Sequence, residues 1–325
     1  MKLTVDCDLT AELSILQNAE LQQHSSLAYL LSKAKITSVA APLEALICEQ
    51  YGLLAAPDYA IAAIAANADG LDVSEGYWLR ADPVHLVLQR DCFSLGEPIP
   101  LMVEPEHAMG LVAILNQHFS QDGLTFLIGK SGAWYLHSNT DAQIKTTLPC
   151  LAAGKNVHQF MPQGEQASKW LAVLNEVQML LHEHPVNTAR EGNGVAVNSV
   201  WLSGGGRLPI IVALNNHANL LIASSAFYQG LAKLTNTPYL AFPENLDDIF
   251  QYAEDSAAHI RLQVPQLNNF DSLCIKPLIT ALKNKKINQL ILNLGFYEKS
   301  LIVEITPFDL YKFWRRTKPL GHYLT

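Results

Sequence analysis

Hydrophobic residues recur at helical spacing through much of the first half of the chain. Leucines fall about three or four positions apart within residues 10–66, which predicts helices there, with Gly52 as a natural helix stop. The same spacing predicts a helix over residues 105–119. Two runs rich in β-branched and aromatic residues, 124–128 and 133–136, flank a Gly-Lys-Ser-Gly turn and predict an antiparallel hairpin. Residues 138–165 are polar and interrupted by proline and glycine, so they predict an irregular connection.

After this connection the pattern changes to strands that alternate with helices. A clear amphipathic helix is predicted at residues 166–181, and Pro185 ends it. Short apolar runs then predict strands at 197–202, 220–223, 238–242, 259–264, 289–294 and 301–305. Helical patterns follow at 226–234, 244–252, 273–283 and 308–316. Such alternation is typical of βαβ units with a largely parallel sheet, and the last two strands are close enough to form an antiparallel hairpin.

The predicted fold class is therefore α/β, with a mixed, mostly parallel sheet flanked by helices. The first part of the chain mixes helices with short strands that pair locally. We accordingly predict an α+β N-terminal portion at residues 1–165 and an α/β portion at 166–325, packed as one compact unit.

Composition narrows the classes of function. The chain has 325 residues, of which 49% are hydrophobic and 16% are charged, so it has ample material for a core. Its net charge of -8 argues against nonspecific nucleic-acid binding. The five cysteines are scattered without a CxxC pair, and the N-terminus has no apolar signal-peptide core. We expect a cytoplasmic protein without nucleic-acid or membrane partners; the oligomeric state does not follow from the sequence.

A first group of candidate site residues lies in the segment GYWLRADPVHLVLQR, residues 76–90. Pro83 disfavours a helical conformation at Asp82, so the centre of the segment is predicted to be extended or turning. Asp82 and His85 then lie near a bend between two strands. A simple Asp-Pro turn with a surface histidine explains the same pattern and stays open as the alternative.

A second group lies between residues 181 and 209. Gly204, Gly205 and Gly206 follow a predicted strand, and glycine allows backbone N–H groups to converge on an anion, with Arg207 as a forked donor. A tight turn in a crowded core is the equally open alternative. The nearby polar residues that can complete a ligand pocket are His184, Asn187, Arg190 and Asn198.

Catalytic groups are hard to assemble from the sequence. There is no G-x-S-x-G element, and nothing marks Ser199 or Ser203 as an activated nucleophile. After residue 210 the histidines are His217, His259 and His322, and none belongs to a metal-ligand motif. We therefore predict no catalytic residue and no metal ligand.

Three motifs together resemble a known family. HPVNTAREGNGVAVNSVWLSGGGRLP, GYWLRADPVHL and LNEVQMLLHEHPVN are similar to signatures of proteobacterial Rpf-type regulatory proteins, which are described as phosphoglycerate-mutase-like. The resemblance covers most of the chain and is best between residues 76 and 210. More distantly, the chain resembles archaeal-type cofactor-independent phosphoglycerate mutases of the alkaline phosphatase superfamily. Their Asp-Pro-His element is matched by Asp82, Pro83 and His85 with one residue inserted, and their HPxN…R…AN run by His184, Asn187, Arg190 and Asn198.

The resemblance implies an alkaline-phosphatase-like fold and an anion pocket, but the sequence departs from the superfamily at its metal ligands. The superfamily uses an early Asp-Gly loop on a strand, a Ser or Thr nucleophile, and late Asp and His ligands for two divalent metals. Asp69-Gly70 follows an Ala-rich helix, and the late set has no counterpart after residue 210. No cofactor is therefore predicted; the alternative is two divalent metal ions such as manganese or zinc.

The leading hypothesis is a catalytically degenerate, phosphoglycerate-mutase-like regulatory protein that binds a small phosphorylated or carboxylated metabolite. The first alternative is an active mutase-like isomerase or phosphotransferase, whose metal site is formed by residues distant in sequence. The second is a protein-interaction scaffold, which binds no small molecule.

Overall fold

The computed structural model describes residues 1–10, 25–90, 92–96, 99–182, 184–190, 195–210, 218–252, 258–265 and 270–324. Of residues 188–190 and 324, only the backbone belongs to this description. In chain order the strands are β1 (Lys2–Asp8), β2 (Lys35–Val39), β3 (Tyr77–Val84), β4 (Leu86–Leu88), β5 (Phe93–Leu95), β6 (Leu124–Ile128), β7 (Trp134–Ser138), β8 (Ser199–Gly206), β9 (Leu220–Ile222), β10 (Tyr239–Leu240), β11 (His259–Val264), β12 (Gln289–Phe296) and β13 (Lys299–Ile305).

The α-helices are α1 (Ser26–Lys33), α2 (Leu43–Gln50), α3 (Ile61–Ala68), α4 (Pro105–Phe119), α5 (Pro149–Ala152), α6 (Ala167–His182), α7 (Pro185–Arg190), α8 (Ala226–Thr235), α9 (Lys276–Lys283) and α10 (Gly321–Leu324). Short 3₁₀ segments lie at Val157–Phe160, Leu246–Tyr252 and Pro307–Tyr311, and a π-helical turn at Asp271–Ile275 precedes α9. No helix in the described ranges is both long enough and apolar enough to cross a bilayer.

The chain forms two compact units. Unit 1 combines Met1–Gly52 with Ala213–Thr325, and unit 2 is the intervening segment Leu53–Val212. This division differs from the predicted boundary between residues 165 and 166. Periodicity along a sequence identifies elements in order, but it does not show that a chain leaves one unit and later returns to it.

Unit 1 is built on a seven-stranded sheet in the order β10-β9-β11-β1-β12-β13-β2. The pairings from β10 to β12 are parallel, whereas β13 pairs antiparallel with both β12 and β2. The odd-numbered residues of β1, such as Leu3 and Val5, pack in one core with α1 and α9. The even-numbered Asp6 lies on the opposite face, where α2 provides Gln50. This confirms the predicted mixed α/β class with a mostly parallel sheet flanked by helices.

Several elements of unit 1 differ from what the sequence predicted. β1, the central strand, was not predicted, because its two acidic residues and the helical pattern that follows obscured the alternation of its apolar residues. Residues 35–39 form β2, although a helix was predicted for the whole of 10–66; residues 11–24 lie outside the described ranges. The predicted helices at 244–252 and 308–316 are only 3₁₀ segments, at Leu246–Tyr252 and Pro307–Tyr311.

Unit 2 is built on an antiparallel four-stranded sheet in the order β6-β7-β3-β8, accompanied by the β4–β5 hairpin. One face of the sheet packs against the apolar stripes of α4 and α6 in a core that contains Leu79, Phe126 and Trp170. The β6–β7 hairpin, α4 and α6 confirm the sequence predictions for these segments.

The predicted boundaries of β3 and β8 are wrong in a way that affects the site. β8 extends through all three glycines to Gly206, although they were predicted to follow the strand as a loop. β3 continues through Asp82 and Pro83 to Val84, so the bend between β3 and β4 falls at His85. Pro83 is tolerated because a residue without an N–H group fits where a strand needs no donor.

Candidate functional site

The glycines of β8 let a helix approach the sheet closely. A Cβ atom on Gly206 would lie 2.5 Å from the Cβ of Ala60, and one on Gly204 would lie 3.0 Å from the Cβ of Ile61. Gly204 also has a φ of 63°, which side chains other than glycine rarely adopt. Gly204 and Gly206 are therefore required where α3 begins. The three glycines were predicted either to bind an anion or to form a tight turn in a crowded core. Close packing in the core explains Gly204 and Gly206.

The anionic group near Gly205 belongs to the protein itself. The backbone of Gly205 helps to lower the pKa of the Asp58 carboxylate. The same carboxylate accepts hydrogen bonds from the N–H and hydroxyl groups of Thr146, at 2.8 and 2.5 Å. Partial burial raises the pKa of Asp58, although these hydrogen bonds counteract the effect. Asp58 was not among the predicted residues, because it lies about 150 residues before the glycines in sequence.

Tyr77 lies beside Gly205, on the face of the sheet away from α3. Its hydroxyl is buried and has no hydrogen-bond partner among the described residues. Burial, and then the negative charge of Asp58, raise the pKa of this hydroxyl, so it is neutral at physiological pH. A Cβ atom on Gly205 would lie 2.6 Å from the hydroxyl oxygen, which explains why this third position is also glycine.

Asn187 holds the end of α6 to the segment that enters β8. Its side-chain amide donates to the carbonyls of Leu181 and Val197 at 2.5 and 2.7 Å, and its oxygen accepts from the N–H of Val197 at 3.0 Å. The residue is 3% exposed, and both of its donor hydrogens are used. Asn187 therefore stabilises the fold by replacing a missing backbone partner.

Asn198 makes a similar contact one residue further along. Its side chain accepts from the N–H of Leu86 at 2.7 Å and donates to the carbonyl of Leu86 at 2.9 Å. His85 lies at the same junction, where its Nδ1 hydrogen-bonds to the carbonyl of Ala196 at 2.8 Å. The structure therefore brings His85, Asn187 and Asn198 together around residues 196–198.

Other predicted site residues lie elsewhere. Arg207 follows β8 at the opposite end from Asn198, roughly 30 Å away for nine extended residues. It is exposed, and its Nη1 donates to the carbonyl of Gly76 at 3.2 Å. Asp82 is buried within β3, in register with Trp201 on β8. The predicted single pocket is thus divided between the two ends of β8.

His184 directly precedes α7, and Arg190 is the last residue of this helix. The Nδ1 of His184 accepts from the N–H of Val186 at 3.2 Å, which fixes the ring at the start of the helix. Arg190 is the last residue of α7, and its side chain lies outside the described residues. The predicted role of Arg190 in binding an anion stays a prediction.

Unit 1 contains a buried polar cluster that was not predicted, centred on Asp6 of β1. The Asp6 carboxylate, which is 0% exposed, accepts from Nε and Nη2 of Arg261 at 2.6 and 3.0 Å. It also accepts from Nδ2 of Asn293 at 2.6 Å, and the guanidinium of Arg261 donates to Gln50 at 2.8 Å. A forked, charge-assisted pair of this kind neutralises the carboxylate within the protein.

Two tyrosines surround this ion pair. The guanidinium of Arg261 lies 5.0 Å from the centre of the Tyr51 ring, a cation–π geometry. Burial alone lowers the pKa of Arg261, but the charge of Asp6, its hydrogen bond to Arg261 and the two nearby tyrosines together raise the pKa above its ordinary value, so the residue stays a cation. Burial raises the pKa of Tyr228, and the nearby Asp6 charge raises it further, although no hydrogen bond of normal geometry joins the two groups. The signal in the sequence was the pair of acids that alternate with apolar residues in KLTVDCD.

The two divalent metals that the superfamily resemblance implies do not fit the described residues. Across those ranges, no group of three or more His, Cys, Asp or Glu side chains lies close enough to hold a metal ion. The deeply buried carboxylate at the centre of the parallel sheet, Asp6, is already bound to a guanidinium. A metal there would place two cations next to each other with a single carboxylate between them.

Two known proteins share sequence similarity with part of this chain, and both have the same enzyme name. Over 114 residues, 33% of this chain, it is 29% identical to a 2,3-bisphosphoglycerate-independent phosphoglycerate mutase from Methanosarcina barkeri. Over 69 residues, 21% of this chain, it is 30% identical to a probable enzyme of the same name from Geobacter sulfurreducens. The chain is similar in sequence to phosphoglycerate mutases.

The similarity is partial. The matched segments span 28% and 17% of the two relatives, so the chain matches less than a third of their length. The solved cofactor-independent phosphoglycerate mutase of Thermoplasma acidophilum aligns with 94% of this chain and 89% of its own, at a TM-score of 0.40 and 16% identity. No family model matches the chain.

Proposed function

We propose that this chain is a catalytically degenerate, phosphoglycerate-mutase-like regulatory protein of the cytoplasm, on an alkaline-phosphatase-like fold. The observation that carries the proposal is the Asp6–Arg261 pair, in which a guanidinium neutralises the buried carboxylate of the central strand, β1. The absence of a metal-ligand group across the described ranges supports it. The sequence similarity to mutases supports the choice of scaffold.

The ligand that we propose is a small phosphorylated or carboxylated metabolite, bound near the junction at residues 196–198. His85 and His184 each use Nδ1 in a backbone hydrogen bond, and Nε2 of neither ring bonds to any described residue. When protonated, each Nε2 is a donor for an anionic oxygen. The amides of Asn187 and Asn198 hold the junction in place rather than contact the ligand.

One experiment separates this proposal from the active mutase, the alternative that the names of the two relatives favour. Purified protein is assayed for phosphoglycerate mutase turnover with added manganese, and calorimetry measures the binding of 3-phosphoglycerate and of inorganic phosphate. We expect binding without turnover, weakened by His85→Ala and unchanged by Arg207→Ala at the far end of β8. Turnover that depends on manganese would establish the enzyme. Neither binding nor turnover would favour the interaction scaffold.

A further inference from the structure

A loop near the C-terminus exposes an unusual group of aromatic side chains. Phe308, Tyr311, Phe313 and Trp314 are 82, 72, 88 and 66% exposed. Among the described aromatic residues of types Phe, Tyr and Trp, Tyr252 is the other one with at least half of its surface exposed. Apolar side chains that cluster in this way on a solvent-exposed surface are typical of an interaction site. We call residues 307–318 the aromatic loop.

The aromatic loop is held in one conformation by contacts with α1. Lys33 is 6% exposed, and its ammonium donates to the carbonyls of Lys312 and Arg315 at 2.8 and 2.6 Å. In return, the Arg315 guanidinium donates to the carbonyls of Lys33 and Ala34 at 3.3 and 2.9 Å. Lys33 therefore binds the backbone of the loop, and Arg315 binds the backbone at the end of α1. Because Lys33 is buried and its ammonium bonds to two carbonyls of the loop, the loop has a defined conformation and is not a frayed end.

The start of the loop is fixed independently. Asp309 accepts hydrogen bonds from the N–H and hydroxyl groups of Thr306, both at 2.8 Å, and pairs with Lys312 at 2.5 Å. Phe313 and Trp314 pack edge to face, with ring centroids 5.2 Å apart. Rings that are already positioned lose little conformational freedom when a partner covers them, which favours tight association.

The charge around the rings indicates the chemistry of the partner. Residues 308–318 contain four basic residues and one acidic residue, in a chain whose net charge is -8. Arg316 is exposed and makes no hydrogen bond or ion pair with described residues. Two copies of the loop facing each other would bring like charges together, and the acidic chain as a whole is repelled by an anionic membrane. An acidic protein surface is attracted to the loop, because its carboxylates form ion pairs with the basic side chains of the loop.

We propose that the aromatic loop is a docking site for an acidic protein segment that carries apolar side chains. The apolar residues of the segment cover the Phe313–Trp314 pair, and its carboxylates pair with Arg316 at the edge. Aromatic and arginine residues contribute most of the binding energy in protein interfaces. This site lies in unit 1 and does not depend on the metabolite site proposed in unit 2.

Trp314 provides a direct measurement of occupancy. The other four tryptophans, Trp78, Trp134, Trp170 and Trp201, are at most 4% exposed, so acrylamide quenches mainly Trp314. The full-length protein is titrated with a synthetic peptide in which glutamate alternates with leucine and phenylalanine. Two control peptides replace every glutamate by lysine or every apolar residue by serine. We expect the first peptide alone to protect Trp314 and to shift its emission to the blue.

Variants locate the contact. Phe313→Ser and Arg316→Glu should each weaken binding of the acidic peptide about tenfold, whereas Leu54→Ser, at an apolar side chain that is 88% exposed in unit 2, should leave it unchanged. Equal protection by the lysine peptide would overturn the proposal, as would no protection by any peptide. Protection by phosphatidylglycerol vesicles only, or by self-association that sedimentation detects without peptide, would assign the loop to a membrane or to a second copy and also overturn it.

Discussion

Removing either member of the Asp6–Arg261 pair should destabilise unit 1 strongly, while removing both should not. Arg261→Met leaves the buried Asp6 carboxylate without its two guanidinium hydrogen bonds, at 2.6 and 3.0 Å. Stranding a buried charge in this way costs about 3–5 kcal/mol. In the double variant Asp6→Leu/Arg261→Met no charge is buried, and Asn293 and Gln50 keep their mutual hydrogen bonds at 3.2 Å. The double variant should therefore lie within about 1–2 kcal/mol of the parent protein.

Cysteine reactivity reports the unfolding of unit 1 separately from that of unit 2. Cys7, Cys48 and Cys274 are buried in unit 1, and burial raises the pKa of Cys274 to about 12, so its thiol is unreactive in the folded protein. Cys92 and Cys150, both in unit 2, are partly exposed and are replaced by serine in every variant. Thiol labelling across a urea series then yields the free energy of unfolding of unit 1.

The exposed pair Lys35–Glu304 provides the control, because its side chains are 73 and 36% exposed. Lys35→Met should cost less than about 1 kcal/mol. The double-mutant cycle at Asp6 and Arg261 should give a coupling energy of at least about 4 kcal/mol, because two single costs of about 3–5 kcal/mol each are reduced to about 1–2 kcal/mol in the double variant. A cost for Arg261→Met no greater than that of Lys35→Met, or a double variant equal to the sum of its singles, would refute the reasoning.

The remaining predictions concern unit 2 and are measured by urea unfolding with tryptophan fluorescence. Gly206→Ala should destabilise it by about 1–3 kcal/mol, because the new Cβ meets Ala60. Gly110→Ala, inside α4, should stabilise it by about 0.5–1 kcal/mol, because the nearest atom to the new Cβ is 3.7 Å away. Equal effects of the two substitutions would contradict the packing argument. Asn187→Ala should cost about 2–4 kcal/mol, since three buried backbone groups lose their partner, and a cost below that of an ordinary surface substitution would contradict its role. The raised pKa of Asp58 means that the folded state holds this proton more tightly than the unfolded state. The stability of unit 2 should therefore fall as the pH rises through the range just above the ordinary value for aspartate, and Asp58→Asn should remove this slope; an unchanged slope would exclude Asp58 as its source.

The sequence predicted the fold best where hydrophobic runs are long and each element is used in chain order. In the seven-stranded sheet, β11, β12 and β13 have continuous or alternating apolar residues, and the predicted antiparallel hairpin of the last two strands is confirmed as β12 and β13. β1 escaped prediction although it is the centre of that sheet. Its buried Asp6 is paired with Arg261, 255 positions away, and a local pattern holds no information about so distant a partner.

The sequence predicted which residues of the candidate site lie close together better than it predicted what their side chains bind. Asn187, Asn198 and His85 do meet, as their grouping into motifs suggested, but their bonds go to backbone groups exposed at strand and helix ends. Donors and acceptors of asparagine fit a ligand or a broken backbone ladder equally well, so residue type does not distinguish the two uses. The glycines illustrate the same limit, because close packing and anion binding both require the missing Cβ.

If the chain is catalytically degenerate, as we propose, it should bind no divalent metal ion. Elemental analysis of protein purified without chelators, together with thermal melting with and without manganese, tests this proposal most directly. We expect no stoichiometric metal and no change in melting temperature on adding manganese. Stoichiometric manganese or zinc with a marked rise in melting temperature would contradict it, because a metal that binds the folded state stabilises that state.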